Sequence, residues 1–178
     1  MSTVQLSQLL EKYLLLGHRV YGIEPVSQLE HALQCAALAI EAKESKELIT
    51  ACLFHDVGHL LSHDDLSKDG QHEISAANYL EKLFGQAVIQ PVKLHVDAKR
   101  YLCTMDQNYW STLSQGSKHS LELQGGPFSK KECEEFFKLP YASEAIRLRQ
   151  FDDLAKTPQK ITPSFDDLIP MIESCLII

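Results

Sequence analysis

Apolar residues recur at helical spacing along nearly the whole chain, and no stretch alternates apolar and polar residues as a half-buried strand does. A 3.6-residue period cannot keep one face of a pleated sheet apolar, so the pattern restricts the chain to an all-α fold. "VQLSQLLEKYLLLG" carries the period up to a stop at Gly17. "SQLEHALQCAALAIEAK" opens on a capping box, Ser27 to Glu30, and its alanines suit close helix packing. A third helix is expected over "SKELITACLFHDVGHLL" and a fourth over "HEISAANYLEKLFG", ending at Gly85. "QAVIQPVKLHV" is short, and Pro91 marks a helix start or kink inside it. A second capping box, Ser129 to Glu132, opens "SKKECEEFF". "SEAIRLRQFDDLAK" reads as an amphipathic helix, and "FDDLIPMIESCLII", after Pro163 and Ser164, as a last helix docking on the body. Met105 to Phe128 is the place for irregular loops beside a site.

The length, 178 residues, fits one domain spanning 1–178, a single helical bundle with its site between helices. With 17 basic and 24 acidic residues the formal charge is −7, and no basic block is visible, which argues against a nucleic-acid partner. The first twenty residues carry Glu11 and Lys12 within the apolar pattern and lack a signal-peptide cleavage site. No uncharged apolar run is long enough to span a bilayer. Five scattered cysteines (Cys35, Cys52, Cys103, Cys133 and Cys175) form no Cys-x-x-Cys pair. They fit reduced core thiols in a cytoplasmic protein, not a disulfide framework.

Chemistry enters through an ordered set of histidines and carboxylates: His31, His55 with Asp56, His72, His95 and, much later, Asp152. Adjacent helical residues point about 100° apart, so a His-Asp pair can approach one metal from two sides. A carboxylate, having two oxygens, can also bridge to a second metal. The alternative for His55 alone is a hydrogen-bonded core histidine. Asp56 weighs against it, because a carboxylate inside "ITACLFHDVGHLL" is costly to bury without a cation. A zincin reading of His55 and His59 fails: Asp56 replaces the longer glutamate such helices need, and Gly58 weakens the helix between the histidines.

The order His, His-Asp, Asp resembles the signature of the HD-domain superfamily, with His31, His55, Asp56 and Asp152 in its four positions. The blocks "YGIEPVSQLEHALQCA", "FHDVGH", "HVDAKRYLC", "LQGG" and "RQFDD" resemble those of the phosphonate-cleaving mixed-valent di-iron oxygenases, the PhnZ group, more distant relatives of myo-inositol oxygenase. The likeness runs from about Tyr21 to Asp153. It implies one iron held by His31, His55, Asp56 and Asp152, a second held by Asp56, His72 and His95, and an Fe(II)/Fe(III) pair as cofactor. Spacing alone fits manganese, zinc or magnesium equally. The match of Arg149 three residues upstream favours Asp152 over Asp153, which reads as a solvated helix charge.

The same resemblance implies that His59 contacts bound dioxygen, and its alternative is a helix-face histidine bonded to backbone. Tyr21 and Glu24 match a tyrosine and glutamate that gate the active site, the alternative for Tyr21 being a helix-terminal ring beside Pro25. Lys99, four after His95, and Arg149, three before Asp152, put a cation beside a ligand on each of two helices, which suits a dianionic phosphonate. Ser117 and Gln124 match positions that hydrogen-bond phosphonate oxygens, while Gly125 and Gly126 serve a turn. His18, His119 and His63 have no motif around them and read as surface or structural residues.

The expected activity is therefore oxidative cleavage of the carbon–phosphorus bond of a 1-hydroxyalkylphosphonate by dioxygen. Glu24 favours 2-amino-1-hydroxyethylphosphonate, giving glycine and phosphate. The trimethylammonio analogue, giving glycine betaine, would need aromatic faces, for which Tyr21, Tyr101, Tyr109 and Trp110 are available. The alternative is an HD-type phosphohydrolase acting on a nucleotide or phosphate ester through a metal-bound water, which would not require Tyr21, Glu24, Lys99 or Arg149. A non-catalytic HD-like module would have lost ligands, and all six are present.

Overall fold

A computed structural model describes residues 2–61 and 72–177, and His63 lies outside them. The described residues form α-helices with no strand, as the periodicity requires. In chain order these are α1 (Ser2–Leu16), α2 (Gln28–Glu41), α3 (Lys46–Phe54), α4 (Val57–Leu61), α5 (His72–Leu80) and α6 (Gln86–Met105). Then follow α7 (Tyr109–Thr112), α8 (Gln115–Leu123), α9 (Lys130–Phe137), α10 (Ala142–Leu154) and α11 (Phe165–Glu173).

The starts are set by caps. Ser27 and Ser129 form the expected capping boxes with Glu30 and Glu132, and Ser164 forms a third with Asp167. The centre is a bundle in which α6 packs against α3, α5 and α10, while α2 packs against α3 and α10. Small residues bring α2 and α3 together: Cys35, Ala36 and Ala39 meet Ala51 and Cys52 in one fully buried layer. Leu6, Leu9 and Tyr13 seal the layer from α1, and Phe165, Leu168 and Ile172 seal it from α11, so the last helix docks as expected.

Three elements differ from the sequence reading. The third helix is two, because the turn at His55–Asp56 separates α3 from α4. At Gly58 in α4 a Cβ would sit 2.1 Å from the carbonyl oxygen of His72, so this glycine lets α4 lie against the start of α5. Second, α6 runs unbroken for 20 residues through Pro91, and Gly85 is its N-cap instead of the end of α5. Pro91 sits near the N-terminus of α6, where losing one backbone donor is tolerated by the long helix beyond it. Third, the segment after Met105 holds two short helices, α7 and α8, the second capped by Ser114.

Candidate metal centre

The bundle brings the chemistry-bearing side chains to one place between its helices. His31 comes from α2, His55 from the C-cap of α3, Asp56 from the turn before α4, His72 from the first residue of α5, His95 from α6 and Asp152 from α10. All six are buried. His55 and Asp56, adjacent at the end of α3, bring two side chains to one centre from different sides.

Backbone carbonyls fix which nitrogen of each imidazole faces inward. Nδ1 of His31 donates to Ala155 O at 2.9 Å, that of His55 to Cys52 O at 2.8 Å and that of His95 to Val92 O at 2.7 Å. A carbonyl only accepts, so the hydrogen stays on Nδ1 and a neutral ring turns its Nε2 lone pair inward. Yet Nε2 of His31 lies 3.3 Å from Nε2 of His55, and Nε2 of His72 lies 3.2 Å from Nε2 of His95. Where both rings are neutral, as the Nδ1 bonds allow for His31 and His55, two lone pairs face each other across such a gap and cannot bond. A cation between them satisfies both.

Asp56 spans the two pairs. Its Oδ2 is 3.4 Å from His55 Nε2 and 3.8 Å from His31 Nε2, while its Oδ1 is 3.4 Å from His72 Nε2 and 3.5 Å from His95 Nε2. Asp152 joins the first pair, its Oδ1 3.3 Å from His31 Nε2. Asp56 Oδ1 and Asp152 Oδ1 are buried and accept no hydrogen bond. Two buried, under-satisfied carboxylate oxygens facing lone pairs are costly by several kcal/mol unless positive charge lies among them. Burial raises the pKa of Asp56 and Asp152, but the imidazoles around Asp56 and the Arg149 guanidinium beside Asp152 hold both well below the usual carboxylate range. Burial resists charge on His55, yet the adjacent Asp56 carries its pKa up to about 10. Burial keeps His95 neutral by pushing its pKa well below 6.5. The cluster thus draws in positive charge, a proton on His55 where no metal lies between the rings, and with that proton displaced the donor set, neutral imidazoles with ionised carboxylates, fits a borderline transition metal better than magnesium or calcium. Ligand atoms of His31, His55 and Asp56, of His55, His95 and Asp152, and of Asp56, His72 and His95 form three overlapping groups, each within 4.8 Å, so these six residues could hold metal.

Arg149 holds Asp152 in place. Its Nη1 donates to Asp152 Oδ2 at 2.6 Å, its Nε to the Tyr109 hydroxyl at 3.3 Å and its Nη2 to Ser117 Oγ at 3.1 Å and to Asp153. Asp153 is accordingly no solvated charge: it also accepts from the Tyr109 hydroxyl, and its side chain is 13% exposed. The Arg149 guanidinium is pinned between two carboxylates and orients the one that faces the cluster.

A cleft of about 330 Å³ opens onto the centre and is lined by Tyr21, Glu24, His59, Lys99, Ser117, Gln124 and Arg149, which the sequence reading singled out. The Tyr21 hydroxyl donates to Asp56 Oδ2 at 2.6 Å, and its ring stacks on His31 with centroids 4.0 Å apart. His59 stacks on His72 at 4.2 Å. Lys99 Nζ is buried and donates to Ser120 Oγ at 2.7 Å. Burial, helped by Arg149, lowers its pKa to about 7. Ser117 Oγ accepts from both Arg149 and Lys156, which leaves its own hydrogen to donate. Both amide atoms of Gln124 are buried with no partner. Tyr101, Tyr109 and Trp110 lie elsewhere: Tyr101 packs on Phe136 and Phe137, Tyr109 serves Arg149, and Trp110 is 41% exposed. His18 and His119 are exposed, as expected, and the five cysteines are free.

The sequence reading missed Lys156, Ser120 and Glu73. Lys156 follows Asp152 by four residues but lies beyond the end of α10. Glu73 Oε2 is buried without a hydrogen-bond partner, 3.6 Å from His72 Nδ1, and burial raises its pKa to about 7.

Fold and cluster together define a helical domain built to hold metal between imidazoles and carboxylates. The HD-domain model matches residues 29–154. The chain is 45% identical over 159 residues to hydroxymethylphosphonate dioxygenase of Gimesia maris, covering 86% of this chain and 79% of the relative. It is 38% identical over 163 residues to 1-hydroxy-2-(trimethylamino)ethylphosphonate dioxygenase (glycine-betaine-forming) of Leisingera caerulea, covering 88% and 83%. The chain belongs to the HD-domain family, in the phosphonate dioxygenase group that these relatives represent. Among the described residues no helix is long and apolar enough to cross a membrane.

Proposed function

We propose that this chain, as one HD domain over 1–178, is a di-iron oxygenase of the cytoplasm that cleaves the carbon–phosphorus bond of a 1-hydroxyalkylphosphonate. The observation that carries the reading is Asp56, whose Oδ2 lies nearest His55 and His31 and whose Oδ1 lies nearest His72 and His95. The names of the two relatives supply the substrate class. The reaction balances with one dioxygen: R–CH(OH)–PO₃²⁻ and O₂ give a carboxylic acid and inorganic phosphate. Iron held there would bind the substrate oxygens and activate dioxygen.

The chain's own residues do the rest. Lys99, with its ammonium buried, and the free hydroxyl hydrogen of Ser117 receive the phosphonate oxygens. Gln124 offers an unused amide. Tyr21 covers the His31 side of the cluster and withdraws from Asp56 when substrate enters. His59, stacked on His72, borders the dioxygen side.

Phosphate release by anaerobically iron-loaded protein, with and without dioxygen, tests the reading. The substrates are hydroxymethylphosphonate, its aminomethyl and trimethylammoniomethyl derivatives and a panel of phosphate monoesters. Release from a hydroxyphosphonate only with dioxygen is expected. Release from a monoester without dioxygen would replace the oxygenase with a hydrolase. His95→Ala is expected to lose iron and turnover while the helical circular dichroism survives, and retained turnover would remove His95 from the metal-holding set.

Lys99→Met is expected to weaken methylphosphonate binding at least about tenfold below pH 7, where Lys99 is charged. Because its pKa is depressed to about 7, the wild-type advantage should shrink as pH rises above that value. Dissociation constants of both proteins from pH 6 to 9 check this, and taking their ratio cancels the ligand's own ionisation. A pH-independent ratio would count against the Lys99 contact.

A further inference from the structure

Glu24 is the one carboxylate lining the cleft, among the described residues, that does not face the imidazole cluster. Its charge is already answered within the chain. Lys156 Nζ lies 3.2 Å from Glu24 Oε1, and the Ser114 hydroxyl donates to the same oxygen. Ser114 is also the N-cap of α8, so the carboxylate sits at a helix N-terminus, where the backbone dipole favours an anion. The missing side chain of Gly116 makes room for it, since a Cβ there would lie 2.9 Å from Oε1. Both Glu24 and Lys156 have side chains 11% exposed, so water screens the pair weakly.

Lys156 is itself tethered. Besides Glu24 it donates to Ser114 Oγ at 3.1 Å and to Ser117 Oγ at 3.0 Å. A substrate ammonium seeking Glu24 would have to displace a lysine that already makes these contacts, and would meet Lys99 and Arg149 across the same cleft. The other way to hold such a group, an aromatic face, is equally taken. Among the described lining residues Tyr21 is the one phenyl, phenol or indole ring. His31 stacks on it at 4.0 Å, and Lys156 Nζ lies 5.9 Å from its centroid.

We infer that Lys156 occupies the place a substrate ammonium would take, and so sets the specificity of the cleft toward hydroxyalkylphosphonates with no cationic substituent. The inference rests on the proposed phosphonate reading and runs against the amine preference that Glu24 gives in the sequence. An uncharged substituent as small as hydrogen leaves the Lys156–Glu24 pair undisturbed. An aminomethyl or trimethylammoniomethyl substituent must break it or stay unpaired among cations.

The test is binding without turnover: calorimetric titration of anaerobic iron-loaded protein with methylphosphonate and with 2-aminoethylphosphonate, both lacking the reacting hydroxyl. Wild type is expected to bind methylphosphonate at least about tenfold more tightly. Lys156→Met should gain at least about tenfold for 2-aminoethylphosphonate, and adding Glu24→Gln should remove that gain. Lys156→Gln, which keeps hydrogen bonds to the serines, is the second variant should Lys156→Met lose its fold. Equal or tighter binding of 2-aminoethylphosphonate by wild type would overturn the inference and leave the oxygenase reading standing. An unchanged preference in both folded variants would do the same. Binding of neither phosphonate by wild type would overturn the phosphonate reading, and this inference with it.

Discussion

Asp56→Asn is expected to abolish turnover, by at least about 10³-fold, and to lower the stability of the metal-free protein as well. The two halves of the prediction come from one geometry. Asp56 places an oxygen toward each imidazole pair, so neutralising it removes charge from both proposed iron positions at once. Asparagine keeps the size and can still accept from Tyr21, but its amide nitrogen points donor hydrogens where one pair needs an anionic ligand. Without metal, the imidazoles around Asp56 still hold its pKa well below the usual carboxylate range, so folding favours the ionised carboxylate. Removing that charge leaves His55, whose pKa Asp56 carries up to about 10, without its counter-ion and costs of order a few kcal/mol near pH 7. Thermal melts with and without iron separate the terms: iron should raise the midpoint of wild type through binding linkage and leave that of Asp56→Asn unchanged. An equal iron-induced shift in both proteins would contradict the bridging role.

Gly58→Ala is expected to destabilise the protein by about 2–4 kcal/mol and to weaken metal binding at the His72 side. Helix propensity predicts the opposite sign, since alanine inside a helix is better than glycine by ~1 kcal/mol. The deciding contact is backbone on backbone: the new Cβ would lie 2.1 Å from His72 O and 2.8 Å from His72 C, and no side-chain rotation relieves it. Either α4 or the start of α5 must move, and His72 moves with it, away from its 3.2 Å approach to His95. Chemical denaturation gives the stability, and iron content after dialysis gives the metal effect. A stability gain would show that α4 adjusts freely and that Gly58 is only a weak helix former.

The helices were legible because capping and periodicity are local: Ser27, Ser129 and Gly17 mark boundaries that the structure keeps. The break at His55–Asp56 was not, because a two-residue turn leaves the apolar period on either side undisturbed. Pro91 misled in the other direction, since the tertiary packing of α6 outweighs one lost hydrogen bond. At the centre, histidines and a carboxylate in apolar helices announced themselves, and the fold brings all six of these side chains together. Polar support was hidden, because it comes from elements distant in sequence. Asp153 looked solvated until Tyr109, from a segment read as loop, was found against it. Lys156 lies past the end of its helix, so spacing from Asp152 gave no sign that it would reach Glu24, 132 residues away in sequence.

The central claim is that Asp56 serves two metal positions, and anaerobic titration of the metal-free protein with ferrous iron tests it most directly. Bound iron should saturate at about two per chain, with His95→Ala retaining about one. Saturation of wild type at a single iron would contradict the account, leaving Asp56 Oδ1, His72 and His95 without an ion of their own.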